Sequence, residues 1–399
     1  MTRPRSFRRA LALGGCALVA GSAALAVPAA TPAGAATGLT VQRFAKHTVA
    51  PGLSWRGIAW TNDHGYQRGW VMSVDLTHKA LHIKPGMANG NVNDRETIPA
   101  TGGRMHALGG INGDLFNWYT WLPWGGIGIG GTVFKTPAKD RPSQFYIGTD
   151  GRAGIGSLVF TGSVRQVSAT GAPGAAHILS AVNTPGSANA GNLTLFTPAV
   201  TGLPLDRCAA VSGPVIGRLL TVRRVHTEVK QFDRLPTGRR LLAACGKSGD
   251  WLLAHAHLGQ RLRITQHLTT SSGAPVSSFL SGQRLLRLHG HAVADSTGFH
   301  TTGINPETAA CVSKDGTQVR FIVIDGWMSG GDLGGGTGVT LAEVSQLAAT
   351  MHCYSTVIFD GGGSATMVAR RSGAVRVVNQ MPKHYGLRAV PNGLFVVKD

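Results

Sequence analysis

Beyond its first 36 residues the sequence has no long hydrophobic run. No later stretch approaches the roughly 18 apolar residues that a membrane-spanning helix requires, so we expect no membrane span in the mature chain. The composition, 43% hydrophobic over 399 residues, is sufficient for a substantial core. The chain is therefore expected to be a globular protein.

Familiar metal and nucleotide motifs are also missing. Neither C-x-x-C nor H-E-x-x-H occurs, which argues against a zinc site of familiar spacing. No G-x-x-x-x-G-K-[ST] loop occurs, and no G-x-G-x-x-G opens a helix, which argues against a nucleotide loop. His255 with His257, and His289 with His291, would each share a strand face, but no carboxylate or cysteine cluster is near them. We predict no metal and no other cofactor.

Acidic residues are scarce. There are 19 Asp and Glu against 38 Lys and Arg, a formal net charge of +19. Such an excess attracts anionic polymers, including wall phosphates, and the attraction weakens with salt. A solvated basic surface is the simpler interpretation. Nucleic acid is not expected as a partner, because no zinc finger, helix-turn-helix or RNP pattern accompanies the charge.

Residues 1–36 have the composition of a secretory signal peptide. MTRPRSFRRA carries four arginines and no acid, and LALGGCALVAGSAALAV is apolar. PAGAA then offers small residues for cleavage near Ala35 or Ala36. We predict removal of this segment and a secreted, extracytoplasmic protein.

Four cysteines remain after that removal: Cys208, Cys245, Cys311 and Cys353. An exported protein can form disulfides, and four cysteines allow three connectivities. Cys208 and Cys245 lie within one apparent structural segment, and so do Cys311 and Cys353. This favours pairing within each segment.

Fifty-six glycines and many short β-branched or aromatic runs favour strands over long helices. The expected fold class is α+β, a strand-rich mixed-sheet domain with few helices. Residues 37–143 and 281–399 would form this domain, and residues 144–280 a β-rich inserted segment. One helix is well marked, because TLAEVSQLAATM begins with Thr340 and has Glu343 three residues later, a capping box. Strand candidates at 319–324 and 356–359 flank it in a βαβ-like order.

Asp325 and Asp360 directly follow those two strand candidates. If the strands are parallel neighbours, both acids open onto one edge of the sheet, where α/β sites gather. Asp360 also begins the run DGGGSAT, whose glycines allow positive φ and bare the backbone amides that form anion-binding nests. A sugar joined to a phosphate would use both features, with the acid addressing the sugar. A tight turn capped by the aspartate is the alternative.

Three other stretches carry candidate site residues. INGDLFNW places Asn112 and Asp114 beside aromatic residues, suited to contacts with sugar hydroxyls, although Asn-Gly is also a common hairpin signal. The glycine-rich loop at 325–338 adds Asp332 and suggests a lid or a close approach to ligand. RAVPNGLFVV offers Arg388, whose fixed charged fork suits phosphate, with a surface ion pair as the alternative.

Together these stretches resemble the phosphodiester glycosidase family. The matching segments run in the family's order from about 109 to 397: INGDLF, GGIGIGGTVFKTP, PETAACVSKDG, VIDG with TLAEV, FDGGGSATM and RAVPNGLFVV. The resemblance implies hydrolysis of a sugar-1-phosphodiester, releasing the sugar and leaving a phosphate monoester. The expected substrate is a glycan or sugar phosphate of a cell wall or exopolysaccharide.

The resemblance also implies the site residues. Asp360 or Asp325 would be the catalytic carboxylate, and one can suffice because a phosphate monoester leaves with little need of protonation. Arg388 and the glycine amides would clamp the phosphate. The residues implied to bind substrate are Asn112, Asp114, Gly361, Gly362, Gly363, Ser364, Thr366, Arg388 and Asn392.

Two positions depart from the family pattern. The family usually has an arginine where this chain has Glu307, and commonly one where it has Trp327. Both changes remove positive charge from the expected phosphate side. They leave open a non-catalytic wall-glycan-binding protein of the same fold. A phosphodiesterase that attacks phosphorus is a third alternative, although it would normally use metal ions.

Overall fold

The computed structural model describes residues 39–137, 143–168, 170–293, 303–327, 336–381 and 386–399. The predicted signal peptide at 1–36 and Asp332 lie outside these ranges. Within them, no helix combines the length and the apolar character needed to cross a membrane. Residues 38–399 form one compact unit.

The first sheet has nine strands, and every described pair in it is antiparallel. With strands numbered in chain order, its members are β1 (Gln42–Arg43), β2 (His47–Ala50), β3 (Leu53–Asn62), β4 (Gly65–Asp75), β22 (Arg284–Leu288), β23 (His291–Ala292), β24 (Glu307–Val312), β25 (Gln318–Ile324) and β26 (Ser355–Ile358). The spatial order is β1-β3-β4-β25-β24-β26-β22-β23, and β2 pairs with β3.

A second nine-stranded sheet comes from the middle of the chain. Its members are β12 (Leu158–Val167), β13 (Pro173–Ile178), β14 (Ala181–Val182), β15 (Thr194–Phe196), β16 (Leu203–Ile216), β17 (Leu219–Thr221), β18 (Arg224–Phe232), β19 (Arg239–Ala244) and β20 (Arg261–Thr270). The order is β13-β12-β20-β17-β16-β19-β15-β14, and β18 pairs with β16. All these strands fall within 144–280, while the exact domain boundaries remain a prediction.

Three smaller sheets complete the fold. One has the order β11-β10-β21-β8-β9, another β28-β27-β7-β30-β5, and the third pairs β29 with β6. Their strands are β5 (Leu81–Met87), β6 (Glu96–Thr97), β7 (Gly109–Asn112), β8 (Ile127–Ile129), β9 (Thr132–Lys135), β10 (Gln144–Gly148), β11 (Ala153–Gly156), β21 (Val276–Ser281), β27 (Met367–Arg371), β28 (Ala374–Val377), β29 (Ala389–Val390) and β30 (Asn392–Lys398).

Helices are few in the described ranges. They are α1 (Ile98–Arg104), α2 (Pro185–Asn189), α3 (Gly246–His255) and α4 (Leu341–Thr350), with short 3₁₀ turns at Ala88–Gly90 and Gly362–Ser364. The predicted strand-rich fold is confirmed, although its balance is mostly β. Among the described strand pairs only β14–β15 is parallel, so the mixed character is slight.

Helix α4 begins as the sequence predicts. The Thr340 hydroxyl accepts a hydrogen bond from the Glu343 amide, and the Glu343 carboxylate accepts one from the Thr340 amide, which together form the capping box. Leu341, Val344 and Leu347 of the helix are buried in one core cluster with residues of the first sheet. Burial of this apolar face holds the helix against the sheet.

The βαβ-like interpretation is only partly right. Strands β25 and β26 run parallel to each other, but β24 lies between them and is antiparallel to both. Strand β24 forms a hairpin with β25, which follows it directly, but its second partner, β26, comes after the helix, and this long-range pairing has no local signal in the sequence. His255 is likewise not on a strand, since it ends α3 and its Nδ1 lies 2.8 Å from the Trp251 carbonyl oxygen.

Both predicted disulfides are present. Cys208 of β16 is bonded to Cys245, which precedes α3, and Cys311 of β24 is bonded to Cys353, which follows α4. Each therefore joins a helix end to a strand. Two disulfides are typical of proteins from an oxidising compartment.

Candidate active site

The pairing of β24 with β26 brings two carboxyl groups together. Ala309 is opposite Ile358 in this pair, and one step further the Phe359 amide donates to the Thr308 carbonyl oxygen at 2.8 Å. The next step in the same register places Glu307 opposite Asp360. Residues directly opposite in such a pair have Cβ atoms about 4.5–5.5 Å apart. The two acids thus enter one site.

A cavity of about 170 Å³ lies at this point. Five of the predicted site residues line it: Asp360, Gly361, Gly362, Gly363 and Arg388. The other lining residues are Leu115, Gln283, Asn305, Glu307 and Trp327. The cavity therefore holds two acids and one arginine within a largely neutral wall.

The glycine run allows three side chains to approach its backbone closely. A Cβ atom at Gly361 would lie 2.7 Å from Glu307 Oε2, and one at Gly362 would lie 2.8 Å from the Trp327 ring. A Cβ at Gly363 would lie 2.5 Å from Arg388 Nη2. Real Cβ atoms do not come this close to other atoms, so each glycine makes room for one wall of the cavity. This explains why the strand ends in three glycines.

Gly362 has a second reason to be glycine, because its φ is +58°. In that conformation its amide donates to the Pro306 carbonyl oxygen at 2.8 Å. This amide is therefore committed to the turn, and it does not belong to a free anion-binding nest. A phosphate contact from the Gly361 and Gly363 amides and from Arg388 stays a prediction.

Burial changes the acidity of both cavity acids. The pKa of Asp360 rises to about 7, mainly through burial and also through the nearby Asp114, while the Ser364 hydroxyl and Arg388 favour the charged form. Burial raises the pKa of Glu307 well above its usual range, and the Asp360 carboxylate raises it further. Asp360 therefore ionises first and Glu307 keeps its proton to higher pH.

Arg388 is held in a fixed position at the cavity. Its Nη1 donates to Ser364 Oγ at 3.2 Å, and its guanidinium lies 4.8 Å from the Trp118 ring centroid. The Ser364 hydroxyl in turn hydrogen-bonds to Asp360. This arrangement places a permanent positive charge beside the acid pair.

One tryptophan lines the cavity and a second packs against the arginine of the cavity wall, and both are exposed to solvent. Trp327, a lining residue, is 39% exposed, and Trp118 under Arg388 is 54% exposed. Trp327 also has φ of +56°, a strained conformation for a bulky residue that is common at functional sites. Exposed aromatic faces of this kind suit stacking against a sugar ring.

Five of the predicted substrate-binding residues do not line the cavity: Asn112, Asp114, Ser364, Thr366 and Asn392. Asn112 is buried and donates to the Asp360 carbonyl oxygen at 2.7 Å, and its own oxygen accepts from Thr308 and Thr366. Asp114 accepts from the Gly125 amide, and its amide donates to Asn392 Oδ1. Asn112 thus contacts the backbone of Asp360 directly, and the substrate-binding role of all these residues remains a prediction.

Asp325 is buried and lies outside the residues that line the cavity. Its carboxylate accepts hydrogen bonds from Trp70 Nε1 at 2.8 Å and from the Gln380 amide at 3.0 Å. Its pKa is raised to about 7 because burial outweighs these donors and the nearby Arg68. The two predicted catalytic acids, Asp325 and Asp360, thus occupy different environments. The catalytic role of Asp325 remains a prediction.

Glu307 is an acid of the cavity wall that was not among the predicted site residues. The motif PETAAC marked it only as a departure from the family pattern. The sequence carried one signal, because Glu307 directly precedes the uncharged run TAACV, which forms a fully buried strand, and buried acids are rare unless they are paired or serve a site. Gln283 and Asn305 carried no such signal. Within the described ranges, no group of three or more His, Cys, Asp or Glu side chains is placed to hold a metal ion.

The cavity and its glycine turn lie in the part of the chain that a family comparison matches. Residues 230–397 match the model of the phosphodiester glycosidase family. This confirms the resemblance that the motifs predicted. No curated protein sequence matches the chain.

Two solved structures share the fold at low sequence identity, and a third is less similar. A hypothetical protein from Synechocystis is 15% identical with a TM-score of 0.70, over 89% of this chain and 63% of that one. An exported protein from Burkholderia pseudomallei is 17% identical with a TM-score of 0.68, over 90% and 97%. The zebrafish N-acetylglucosamine-1-phosphodiester α-N-acetylglucosaminidase catalytic domain, auto-inhibited by its pro-peptide, is 16% identical with a TM-score of 0.49, over 90% and 88%. The present chain thus spans less than two thirds of the Synechocystis protein.

Proposed function

We propose that this protein hydrolyses sugar-1-phosphodiesters at the glycosidic C–O bond. The observation that supports this most strongly is the convergence of Glu307, Asp360 and Arg388 on one cavity. A sugar carbon next to a phosphate needs an acid on one side and a fixed cation on the other. The cavity supplies both.

The raised pKa values favour different roles for Asp360 and Glu307. Asp360, ionised above about pH 7, attacks the anomeric carbon or takes a proton from the attacking water. Glu307 keeps its proton and hydrogen-bonds to the departing oxygen. The C1–O bond to phosphate breaks with its electron pair on the phosphate, and Arg388 stabilises the resulting charge. The oxygen of water ends on C1 of the released sugar.

The sugar is expected to rest on the exposed tryptophans. Trp327 offers an aromatic face in the wall of the cavity, and the remainder of a polymer can leave the cavity towards Trp118, which packs against Arg388. We propose that the natural substrate is a phosphodiester-containing glycan of a cell wall or exopolysaccharide, met after secretion. The two disulfides and the basic composition support an extracellular setting.

The test is hydrolysis in water enriched in ¹⁸O. The purified protein is incubated with a panel of sugar-1-phosphodiesters, including UDP-N-acetylglucosamine and a wall-polymer fragment. Cleavage at carbon puts the label in the released sugar, whereas attack on phosphorus puts it in the phosphate. Label in the sugar, lost in Asp360→Asn and kept in Asp250→Asn, an exposed matched control on α3, supports the proposal. Label in the phosphate would contradict it.

A non-catalytic glycan-binding protein is the second candidate. The observation that favours it is that Glu307 and Trp327 both line the cavity where the family usually carries positive charge. Binding of a sugar-1-phosphodiester without any turnover, lost in Trp327→Ala, would favour this candidate over the hydrolase.

A further inference from the structure

A second cavity, of about 270 Å³, lies beside the end of α4 and contains three arginines. Arg43 comes from β1, Arg56 from β3 and Arg320 from β25. No acidic side chain lines the cavity, whose remaining polar residues include Ser73 and His352. Three like charges therefore share one concave surface.

The strand register explains why they converge. Arg43 is opposite Ile58, Arg56 is two residues before Ile58 on the same strand face, and Arg320 is opposite Ser73. Ile58 belongs to the core cluster that α4 covers. The arginines therefore stand on the face of the sheet that α4 packs against, at the point where the helix stops.

Nothing in the described part of the chain neutralises these charges. None of the three guanidinium groups makes an ion pair or side-chain hydrogen bond with another described residue. Asp75 lies diagonal to Arg320 across β4 and β25, but its carboxylate accepts from the amide and hydroxyl of Thr77. The end of a helix contributes only about half a negative charge, which cannot balance three full positive ones.

The arrangement carries an electrostatic cost. Arg56 and Arg320 are half-buried, and burial followed by the nearby Arg43 lowers the pKa of Arg320. An arginine cannot relieve this cost by losing its proton at ordinary pH. A bound anion would relieve it, because guanidinium groups make paired hydrogen bonds to oxyanions.

We propose that this cavity binds the phosphate group of an anionic ligand. The three arginines contact its oxygens, and the Ser73 hydroxyl adds a further donor. The volume is close to the lower end of small-molecule sites, about 300 Å³, so it holds a phosphate together with part of a sugar or polyol.

This site is separate from the candidate active site. Arg320 is four residues before Ile324, the partner of Glu307, and four residues of strand span about 13 Å. Binding here does not depend on the proposed hydrolysis. The phosphate can belong to a free small anion or to a phosphodiester polymer, which the two probes below distinguish.

The experiment measures binding by calorimetry with two probes, inorganic phosphate and a glycerol-phosphate oligomer. The test variant is Arg56→Gln/Arg320→Gln. The control is Arg223→Gln/Arg224→Gln, which removes the same charge from exposed positions. We expect the test variant to weaken binding by more than about tenfold and the control by less than about twofold. Tighter binding of the oligomer per phosphate would identify a polymer as the source, and equal binding a free anion.

A second measurement uses the unaltered protein, in case the test variant does not fold. Phosphate should slow dicarbonyl modification of Arg56 and Arg320, located by peptide mass mapping, and leave modification of Arg224 unchanged. Protection of the cavity arginines supports the site. Equal binding by test and control variants, or equal modification rates with and without phosphate, would overturn it.

Discussion

Ionisation of both Glu307 and Asp360 in one buried cavity is energetically unfavourable, because the two negative charges repel each other. This coupling predicts the pH dependence of activity. Activity should rise through about pH 7 as Asp360 loses its proton, and fall at higher pH as Glu307 loses its own. The change Glu307→Gln should keep the rising limb and abolish the falling one. The measurement is kcat/KM from pH 5 to 10 on one sugar-1-phosphodiester.

Asp250→Asn is the control for that profile and should keep both limbs, because Asp250 is exposed on α3. A falling limb that persists in Glu307→Gln would show that another group is the acid.

Substitution by alanine is expected to cause different defects at Gly363 and at Gly361. In Gly363→Ala the new Cβ would displace the Arg388 guanidinium from its place beside Ser364 without touching the backbone, so KM should rise about tenfold with little loss of stability. In Gly361→Ala the Cβ meets the Pro306 carbonyl oxygen at 2.6 Å, which cannot move freely. That variant should lose about 1–3 kcal/mol of stability.

Kinetics and urea unfolding of the two glycine variants, side by side, provide the check. Equal stability losses would mean that the backbone, and not Arg388, limits the space at Gly363.

Helix α4 is tied to its surroundings at its first turn. Glu343 completes the capping box and also accepts a hydrogen bond from Asn62 Nδ2 at 2.6 Å, which links the helix to the β3–β4 hairpin. Thr340→Ala should cost about 1 kcal/mol of unfolding free energy. Glu343→Ala should cost more, because it removes both contacts.

A double-mutant cycle of Glu343→Ala with Asn62→Ala, followed by urea unfolding, isolates the second contact. Additive losses would show that the link to the hairpin contributes nothing.

Elements whose signals are local in sequence could be predicted. The capping box placed α4, β-branched runs placed β25 and β26, and cysteine spacing within segments gave both disulfides. The role of β24 could not be predicted, because it depends on inserting one strand between two others that are distant in sequence. For the same reason Glu307 was interpreted as a departure, whereas the register makes it the partner of Asp360.

A sequence motif also does not show whether a residue lines the cavity or supports the residues that line it. INGD and FDGGGSAT were both interpreted as substrate-binding stretches, and in the structure one lies behind the other. The direction of a side chain at the end of a strand depends on tertiary packing. The spacing of residues in a single sequence does not reveal that packing. The catalytic and binding assignments themselves remain predictions until activity is measured.

At the scale of the whole molecule, three buried acids among the described residues have raised pKa values, and this predicts how stability changes with pH. A buried Asp325 with a pKa of about 7, against an ordinary 3.8, binds its proton in the folded state while the unfolded chain has already released it. Stability is therefore lost as pH rises from about 4 to 7. The loss is roughly 4 kcal/mol at about 1.4 kcal/mol for each unit of pKa.

Asp325→Asn removes this titrating group. The free energy of unfolding of the variant, relative to that of the unaltered protein, should therefore rise by roughly 4 kcal/mol between pH 4 and pH 8. Any constant cost from the altered hydrogen bonds with Trp70 and Gln380 cancels in that difference. Asp315→Asn is the control, because the pKa of Asp315 is lowered to about 2 and its contribution changes only below the window. Urea unfolding at several pH values measures both. A difference for Asp325→Asn that does not change with pH would mean that Asp325 is already ionised in the folded protein, so that Trp70, Gln380 and Arg68 outweigh its burial.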